Sequence, residues 1–307
     1  MMKKQLPAHW LVIDWGTTNF RAFAMGKQGD VLDKVELSLG LLQVKEGEFA
    51  IELENVLSDW LDEYKHLPIF MAGMVGSQQG WANVDYAPTS VSARQLADKA
   101  YRFELPWGAT ATIVPGVSHQ TENGLYDVMR GEEVQLFGLA KLTGMADLVA
   151  VMPGTHSKHA VFSKGELVEF SSYMTGELFS VISKHTILGR GLPEAEPLTD
   201  DLVFLKGVSE GQGEQLTNTL FMARTHRLFD NITDAEVLDY LSGVLIGNEL
   251  KALDVKQAQV YLVGGSKLCE RYQLACQELG IESTYINGDE CFIAGMAAIQ
   301  EVMNNDN

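Results

Sequence analysis

The sequence predicts an α/β protein of two related domains, each built on a mixed sheet flanked by helices. Three observations carry that expectation. The chain has 307 residues, about two domains at the usual ~100–200 residues each. Short β-branched runs alternate with helical stripes along its length. One local device also occurs twice: Leu11-Val12-Ile13-Asp14-Trp15-Gly16-Thr17-Thr18 matches Val149-Ala150-Val151-Met152-Pro153-Gly154-Thr155-His156. Each is an apolar strand, a Gly-Thr turn with small or polar residues, and a second strand with alanine (Ala22, Ala160) at the same offset.

Taken in order, Leu11–Ile13 is a strand, and a second strand over Phe20–Met25 follows after a few turn residues. The chain therefore opens as an antiparallel hairpin. Leu53, Val56, Leu57, Trp60, Leu61 and Tyr64 recur with helical spacing. Pro68–Ala72 reads as a buried strand entering the glycine-rich stretch 73–81, and Thr112–Pro115 as another strand. A helix is expected from Glu132 to Leu142, stopped near Gly144, then a strand over Leu148–Met152. Thr233-Asp234-Ala235-Glu236 is a capping box opening a helix to about Leu253. A strand (Gln259–Val263), a glycine turn, a helix ending at Gly280, a strand (Ile281–Ile286) and a helix (Phe292–Met303) complete the chain. No Pro- or Ser-rich linker divides it, so the expected domains, 1–130 and 131–307, are joined by a helix. The polar tail after Asn304 is expected to fray.

Hydrophobic residues make up 46% of the chain and charged ones 21%, which excludes disorder. The net charge of −18 argues against nucleic acid and against an anionic membrane as partners. A small anion remains compatible, because backbone N–H groups can hold phosphate locally. Cys269, Cys276 and Cys291 form no CxxC pair, so they read as core thiols in a reducing compartment. The opening Met1–Leu6 is basic, but no apolar stretch with a cleavage site follows it, and no apolar run nears the membrane-spanning ~18 residues. A soluble, cytoplasmic protein is expected, and a homo-oligomer is left open.

The repeated turn has a specific chemistry. Glycine lets the backbone approach an anion, and successive N–H groups with threonine hydroxyls then bond phosphate oxygens. Gly16, Thr17 and Thr18 in one copy, and Gly154, Thr155 and His156 in the other, are thus candidates to clamp a polyphosphate. Only the first copy carries an acid, Asp14 against Met152, and so offers a carboxylate to a hydrated Mg²⁺. A single Gly-Thr turn is more readily an ordinary hairpin; two at matching strand positions favour the clamp.

This pattern resembles the sugar kinase, actin and chaperone-ATPase superfamily. The resemblance implies two ribonuclease-H-like domains with an ATP cleft between them and one phosphate hairpin from each. Gly264, Gly265 and Ser266 look like the adenosine loop of such proteins. Glu132, after Gly131, stands where glycerol-kinase-like enzymes carry the catalytic base, although the usual residue is Asp. More narrowly, Asp14–Arg21, Met71–Ser77, Met129–Glu133, Met152–His159 and Met174–Leu178 resemble the 2-dehydro-3-deoxygalactonokinase family, in family order over residues 11 to about 295. That resemblance implies ATP- and Mg²⁺-dependent phosphorylation of 2-dehydro-3-deoxy-D-galactonate at its 6-hydroxyl. Residues 1–130 would bind substrate and phosphate, and 131–307 nucleotide; Gly73, Met74, Ser77 and Arg130 would touch the sugar acid. Two positions depart from the pattern: His159 replaces an expected aromatic such as Trp, and the loop at Gln78-Gln79 differs.

Several readings stay open in the sequence. Glu133 rivals Glu132 as base, and either can simply be a first-turn carboxylate facing a helix dipole. Arg130 and Arg21 could each neutralise a carboxylate or phosphate, though Arg21 reads more readily as a strand residue with a structural partner. His156 and Lys158 are either ATP contacts or exposed hairpin decoration, and His119 is a substrate candidate. His185 and His226 lack ligand-spaced neighbours, so zinc is not expected. Met74, Met129, Met152 and Met174 read as packing residues. The competing functions are a kinase of another sugar or sugar acid and an actin-like nucleotide-dependent regulatory protein; the acid after Gly131 favours the kinase.

Overall fold

The structure is a computed structural model that describes residues 6–192, 200–253 and 259–304. The basic opening up to residue 5 and the tail after Asn304 lie outside the described residues. The chain begins with the antiparallel meander β1 (Trp10–Trp15), β2 (Phe20–Met25) and β3 (Val31–Leu37). It continues through α1 (Phe49–Trp60), β4 (Ile69–Ala72), β5 (Ala87–Pro88), α2 (Ala93–Lys99), β6 (Tyr101–Glu104) and β7 (Thr110–Ile113). The hairpin β8 (Val117–Gln120) and β9 (Tyr126–Met129) then leads into α3 (Glu132–Thr143). A second hairpin follows, β10 (Leu148–Met152) and β11 (Ser157–Ser163), then β12 (Glu166–Tyr173) and four helices: α4 (Thr175–His185), α5 (Asp201–Gly211), α6 (Leu216–Leu228) and α7 (Val237–Leu250). The last elements are β13 (Val260–Gly264), α8 (Ser266–Glu278), β14 (Ser283–Asn287) and α9 (Gly288–Asn304).

The first large sheet has the order β3-β2-β1-β4-β7-β6 and the second β12-β11-β10-β13-β14. In both, the first strand pairs antiparallel with its hairpin partner on one side and parallel with the next strand on the other. That is the ribonuclease-H-like order, present twice, as the repeated motif leads one to expect. β1 is apolar at nearly every position because both of its neighbours and both of its faces are covered. Its Leu11, Ile13 and Trp15 pack with Leu53 and Leu57 of α1 and Met71 of β4, and Trp15 meets Phe20 and Phe49 edge-on. The second core joins Val151 and Leu262 to Phe204, Val208, Ile246 and Tyr272 of the helices. All three cysteines are free and fully buried, and burial pushes their thiols up to about 11 or 12.

The compact units do not follow the expected boundary at 130/131. One runs through Ala146 and adds Ser163–Glu169 and the segment from Asp289; the other holds Asp147–Phe162 and Phe170–Gly288. The physical reason is backbone proximity. A Cβ on Gly138 of α3 would overlap the Cys291 carbonyl, and one on Gly295 of α9 that of Val134, so α3 and α9 are packed to each other as one piece. Leu167, at the β11–β12 tip, likewise exchanges backbone hydrogen bonds with Val91.

Some element ends also shift. The helical stripe stops at Trp60: Leu61 is extended and Tyr64 sits in a separate 3-10 turn, although both stay buried. β7 ends at Ile113 rather than Pro115. Glu236 accepts from the Thr233 N–H at 2.6 Å, as a capping box requires, yet the helix begins at Val237. α9 starts at Gly288, four residues early, with Asp289 and Glu290 in the first turn where the dipole favours acids. Met174 is 51% exposed and so is no packing residue, unlike Met129 and Met152. Among the described residues no helix is long and apolar enough to cross a membrane.

Candidate active site

At the first turn Asp14 and Arg21 face each other across β1 and β2. Their side chains pair, and Arg21 also bonds Asp289 at the start of α9, with Lys34 3.9 Å from the same carboxylate. Arg21 thus has structural partners, as expected. The Asp14–Arg21 bond uses Oδ2, and Oδ1 makes no hydrogen bond among the described residues. Burial holds the Asp14 carboxyl above its ordinary range, against the opposing pull of Arg21. The turn itself is closed by Gly16 N–H to Asn19 at 2.9 Å. The carbonyls of Gly16, Thr17 and Thr18 are taken by the amides of Leu41, Leu42 and Gly40. Thr17 and Thr18 are exposed, and their own N–H groups have no acceptor among the described residues. A cradle of that kind suits an anion.

Two glycines with positive φ bring the next pieces together. Gly73 (φ 93°) ends β4, and Gly131 (φ 109°) precedes α3. A Cβ on Gly73 would lie 2.9 Å from the Trp15 carbonyl and 3.1 Å from Asp14 Oδ1; one on Gly131 would lie 3.3 Å from Gly73 Cα. The start of α3 is therefore seated beside Asp14. Glu132 is half-buried and accepts from the Arg130 N–H at 3.0 Å. Glu133 is fully buried and accepts from the Gly131 N–H at 2.7 Å, while its Oε1 has no partner among the described residues. Burial, reinforced by the charge of Glu132, pushes the Glu133 carboxyl up to about 8. The adjacent acids are thus unlike: one reaches solvent and the other caps a backbone from below.

Arg130 donates to the Val84 carbonyl at 2.8 Å and stacks 4.3 Å over the Tyr86 ring. Its Nε and Nη1 are buried without acceptors among the described residues, and a Cβ on Gly76 would meet Nη1 at 2.9 Å. The next residue, Ser77, also has a buried hydroxyl with no partner among the described residues. Gly73, half-buried Met74, Ser77 and Arg130 therefore do share one neighbourhood. His119 bonds the Thr89 hydroxyl at 2.8 Å.

The second turn differs from the first in register. Met152 pairs with Lys158, whereas Asp14 pairs with Arg21, so the aligned repeats differ in register by one residue. Pro153 has no N–H with which to extend the ladder. The turn is held from outside by α4: a Cβ on Gly176 would lie 2.5 Å from the Gly154 carbonyl, Glu177 N–H donates to Thr155 at 3.0 Å, and His156 Nε2 sits 2.5 Å from Glu177 Oε2. His156 is exposed and pairs with Glu177. Beyond it, Ser157 and His159 reach buried Glu249, and His159 packs 4.4 Å from the Tyr173 ring, so it fills the expected aromatic position. Lys158 faces the other side of the sheet, is 5% exposed, and makes no ion pair among the described residues.

Gly264 ends β13, Gly265 caps α8 and Ser266 starts it. A cavity of about 610 Å³ opens one residue further on, lined by Lys267, Leu268, Arg271, Asp239 and Phe179. It shares Phe179, Ser242 and Leu268 with a small cavity that reaches Gly154. Arg271 bonds Asp239 and lies 4.3 Å over the Phe204 ring.

A profile of the 2-keto-3-deoxy-galactonokinase family matches residues 14–299. The chain belongs to this family. The 2-dehydro-3-deoxygalactonokinase of Escherichia coli (strain K12) is 33% identical over 307 residues, 98% of this chain and 100% of that protein. A solved structure from Sinorhizobium meliloti carrying the 2-dehydro-3-deoxygalactonokinase designation superposes with a TM-score of 0.89 and 32% identity, covering 96% of this chain and 99% of that one. The chain is accordingly a kinase of carbohydrate metabolism.

Sequence reasoning missed Asp289, Glu177, Glu249, Phe179 and Arg271. Glu249 carries a weak local signal, an acid near the end of a largely buried helix that also holds Asp239, and Glu177 lies inside the motif Met174–Leu178 without having been given a role. The others acquire their places through folding of distant segments. Among the described residues no cluster of three or more His, Cys, Asp or Glu could hold a metal by protein ligands alone.

Proposed function

We propose that this kinase transfers the γ-phosphoryl group of ATP to the 6-hydroxyl of 2-dehydro-3-deoxy-D-galactonate, releasing ADP and the 6-phosphate. The observation that supports the reading is the set of buried donors at Arg130 and Ser77, near Glu132, that have no acceptor among the described residues. Each unmet buried donor costs about 1–3 kcal/mol, and a sugar-acid carboxylate satisfies a guanidinium in a bidentate manner. Gly73 and Met74 form the adjoining wall for the sugar chain.

In this reading Glu132 accepts the hydroxyl proton as the oxygen attacks the γ-phosphorus. Glu133 stays protonated at neutral pH, which spares the site a second negative charge while it holds the Gly131 turn in place. The N–H groups and hydroxyls of Gly16, Thr17 and Thr18 take phosphate oxygens, as do those of Gly154, Thr155 and His156. The adenosine occupies the cavity beside Gly264, Gly265 and Ser266, against Phe179 and Leu268. Asp14 Oδ1, unbonded, with Asp289 tied to the same arginine, fits a hydrated Mg²⁺, which keeps its waters and takes one or two carboxylates plus phosphates. Bound there, the ion would offset charge on the phosphoryl group. The acidic surface fits a cytoplasmic enzyme whose partners are the sugar acid and ATP, without nucleic acid or membrane, and is compatible with a homo-oligomer.

The test is ADP release by the purified full chain against a panel of sugars, aldonates and 2-keto-3-deoxy acids. The expected result is a rate with 2-dehydro-3-deoxy-D-galactonate at least ~10² above every other acceptor. A rate independent of acceptor would support slow ATP hydrolysis of the actin-like kind instead.

A further inference from the structure

Glu249 lies in the last turn of α7, 3% exposed, in a part of the fold that the proposed chemistry does not use. Its carboxylate is saturated. Oε1 accepts from Ser157 Oγ at 2.6 Å and lies 2.9 Å from His159 Nε2; Oε2 accepts from Tyr272 Oη at 2.7 Å and from Thr175 Oγ1. Two oxygens thus serve four partners on three elements. A carboxylate can do so because both of its oxygens only accept, whereas a side-chain amide has an NH2 donor in place of one oxygen.

The partners are not scattered. Ser157 is the first residue after the turn Gly154–His156, and His159 anchors the same strand two positions on. Thr175 is the first residue of α4, whose next two residues, Gly176 and Glu177, press on Gly154 and bond Thr155 and His156. Glu249 therefore ties both supports of the second turn to a single buried group. Because Ser157 and His159 point to its side, the strand alternation also turns Lys158 the other way.

We propose that Glu249 is a positioning residue for the second phosphate turn: it fixes the β11 stem and the α4 support so that the backbone N–H groups of Gly154–His156 hold their nucleotide-binding geometry. This rests on the reading that the turn binds ATP. A hydrogen bond to a buried charge is strong enough that losing it changes affinity by about tenfold or more.

The test compares Glu249→Gln, Ser157→Ala and Tyr272→Phe with Ile232→Ala, a core truncation in the helices away from the turn. In each full-length variant the KM values for ATP and for the sugar acid are measured beside the melting temperature. The expected result is a KM for ATP raised about tenfold in Glu249→Gln and by a smaller factor in the other two network variants, with the KM for the sugar acid within about twofold of the parent. Ile232→Ala should lower the melting temperature without moving either KM. Ser157→Ala and Tyr272→Phe carry the test if Glu249→Gln does not fold. Parental KM values for ATP in the network variants would overturn the inference, as would equal rises in both KM values. Gly154→Val separates the two ideas: if it too binds ATP like the parent, the nucleotide reading of the turn fails first.

Discussion

The two Gly-Thr turns occupy the same place in two sheets of the same strand order, yet they are supported by opposite chemistry. The first ends in a charged triad in which Arg21 joins Asp14 and Asp289, and its carbonyls are tied down by the amides of residues 40–42. The second follows Met152 and Pro153, carries no acid of its own at the strand end, and is braced by the first turn of α4 and by buried Glu249. The same strand order thus presents a Gly-Thr turn at both places, while the side chains that brace it differ. One turn has the carboxylates of Asp14 and Asp289 beside it and lies near the start of α3; the other offers mainly backbone N–H groups.

The largest effect should come from breaking what the turns share. A Cβ on Gly16 would meet nothing nearer than 3.5 Å, and one on Gly154 nothing nearer than 3.8 Å. The protein itself therefore leaves room for a Cβ at either place, where a ligand held close to the backbone would not. Gly16→Val and Gly154→Val are each expected to abolish turnover while keeping a near-parental melting temperature. Full turnover in either would make that turn an ordinary hairpin.

Next is the acid beside the first turn. General-base catalysis contributes about 10²–10⁴-fold, or ~3–5 kcal/mol of barrier. Glu132→Gln should lower kcat by at least ~10² with little change in ATP affinity, and Glu133→Gln should be much milder. If the two results were reversed, Glu133 would be the base. A smaller loss should follow from removing the asymmetry itself. Asp14→Asn is expected to reduce kcat by about ten- to a hundredfold, the usual cost of an outer-shell metal partner, with nucleotide still bound. Equal activity of parent and variant across a Mg²⁺ titration would remove the metal role of the first turn.

The smallest effect is on stability. The Glu133 carboxyl rises from 4.5 to about 8 on folding, so between those values the folded state holds a proton that the unfolded state releases. Its contribution to stability is fully present below 4.5 and is lost as pH climbs through 8. The melting temperature should fall over that window more steeply in the parent than in Glu133→Gln. Parallel pH profiles would mean that the carboxyl is not protonated in the fold.

How much of this was legible in the sequence follows from range. β1, β2 and β10 are found at nearly their true ends, because each is an apolar run that stops at a glycine-bearing turn. The stripe 53–64 overshoots α1, because Leu61 and Tyr64 are buried for reasons of packing rather than of helical phase. The hairpin β8–β9 and the helices α4 to α6 have no counterpart in the sequence reading; Tyr126 and Leu228 lie exposed where a clean pattern would have them covered. Gly73, Met74, Ser77 and Arg130 were recognisable through the family resemblance, and their shared neighbourhood bears on it. Asp289 and Glu249 were not, since each meets its partners across hundreds or scores of residues, and no local spacing records that. The register slip in the second hairpin was equally hidden, because aligned letters do not show that the ladder stops at Met152 and Lys158, before Pro153.

The central claim is that the acid beside the first turn directs a phosphoryl group onto a sugar-acid hydroxyl rather than onto water. Phosphorus NMR of the full chain with ATP, Mg²⁺ and 2-dehydro-3-deoxy-D-galactonate tests it most directly. The account predicts one phosphomonoester signal, coupled to the C6 methylene protons, growing in step with ADP and lost in Glu132→Gln. Inorganic phosphate appearing in step with ADP, with no ester signal, would contradict it.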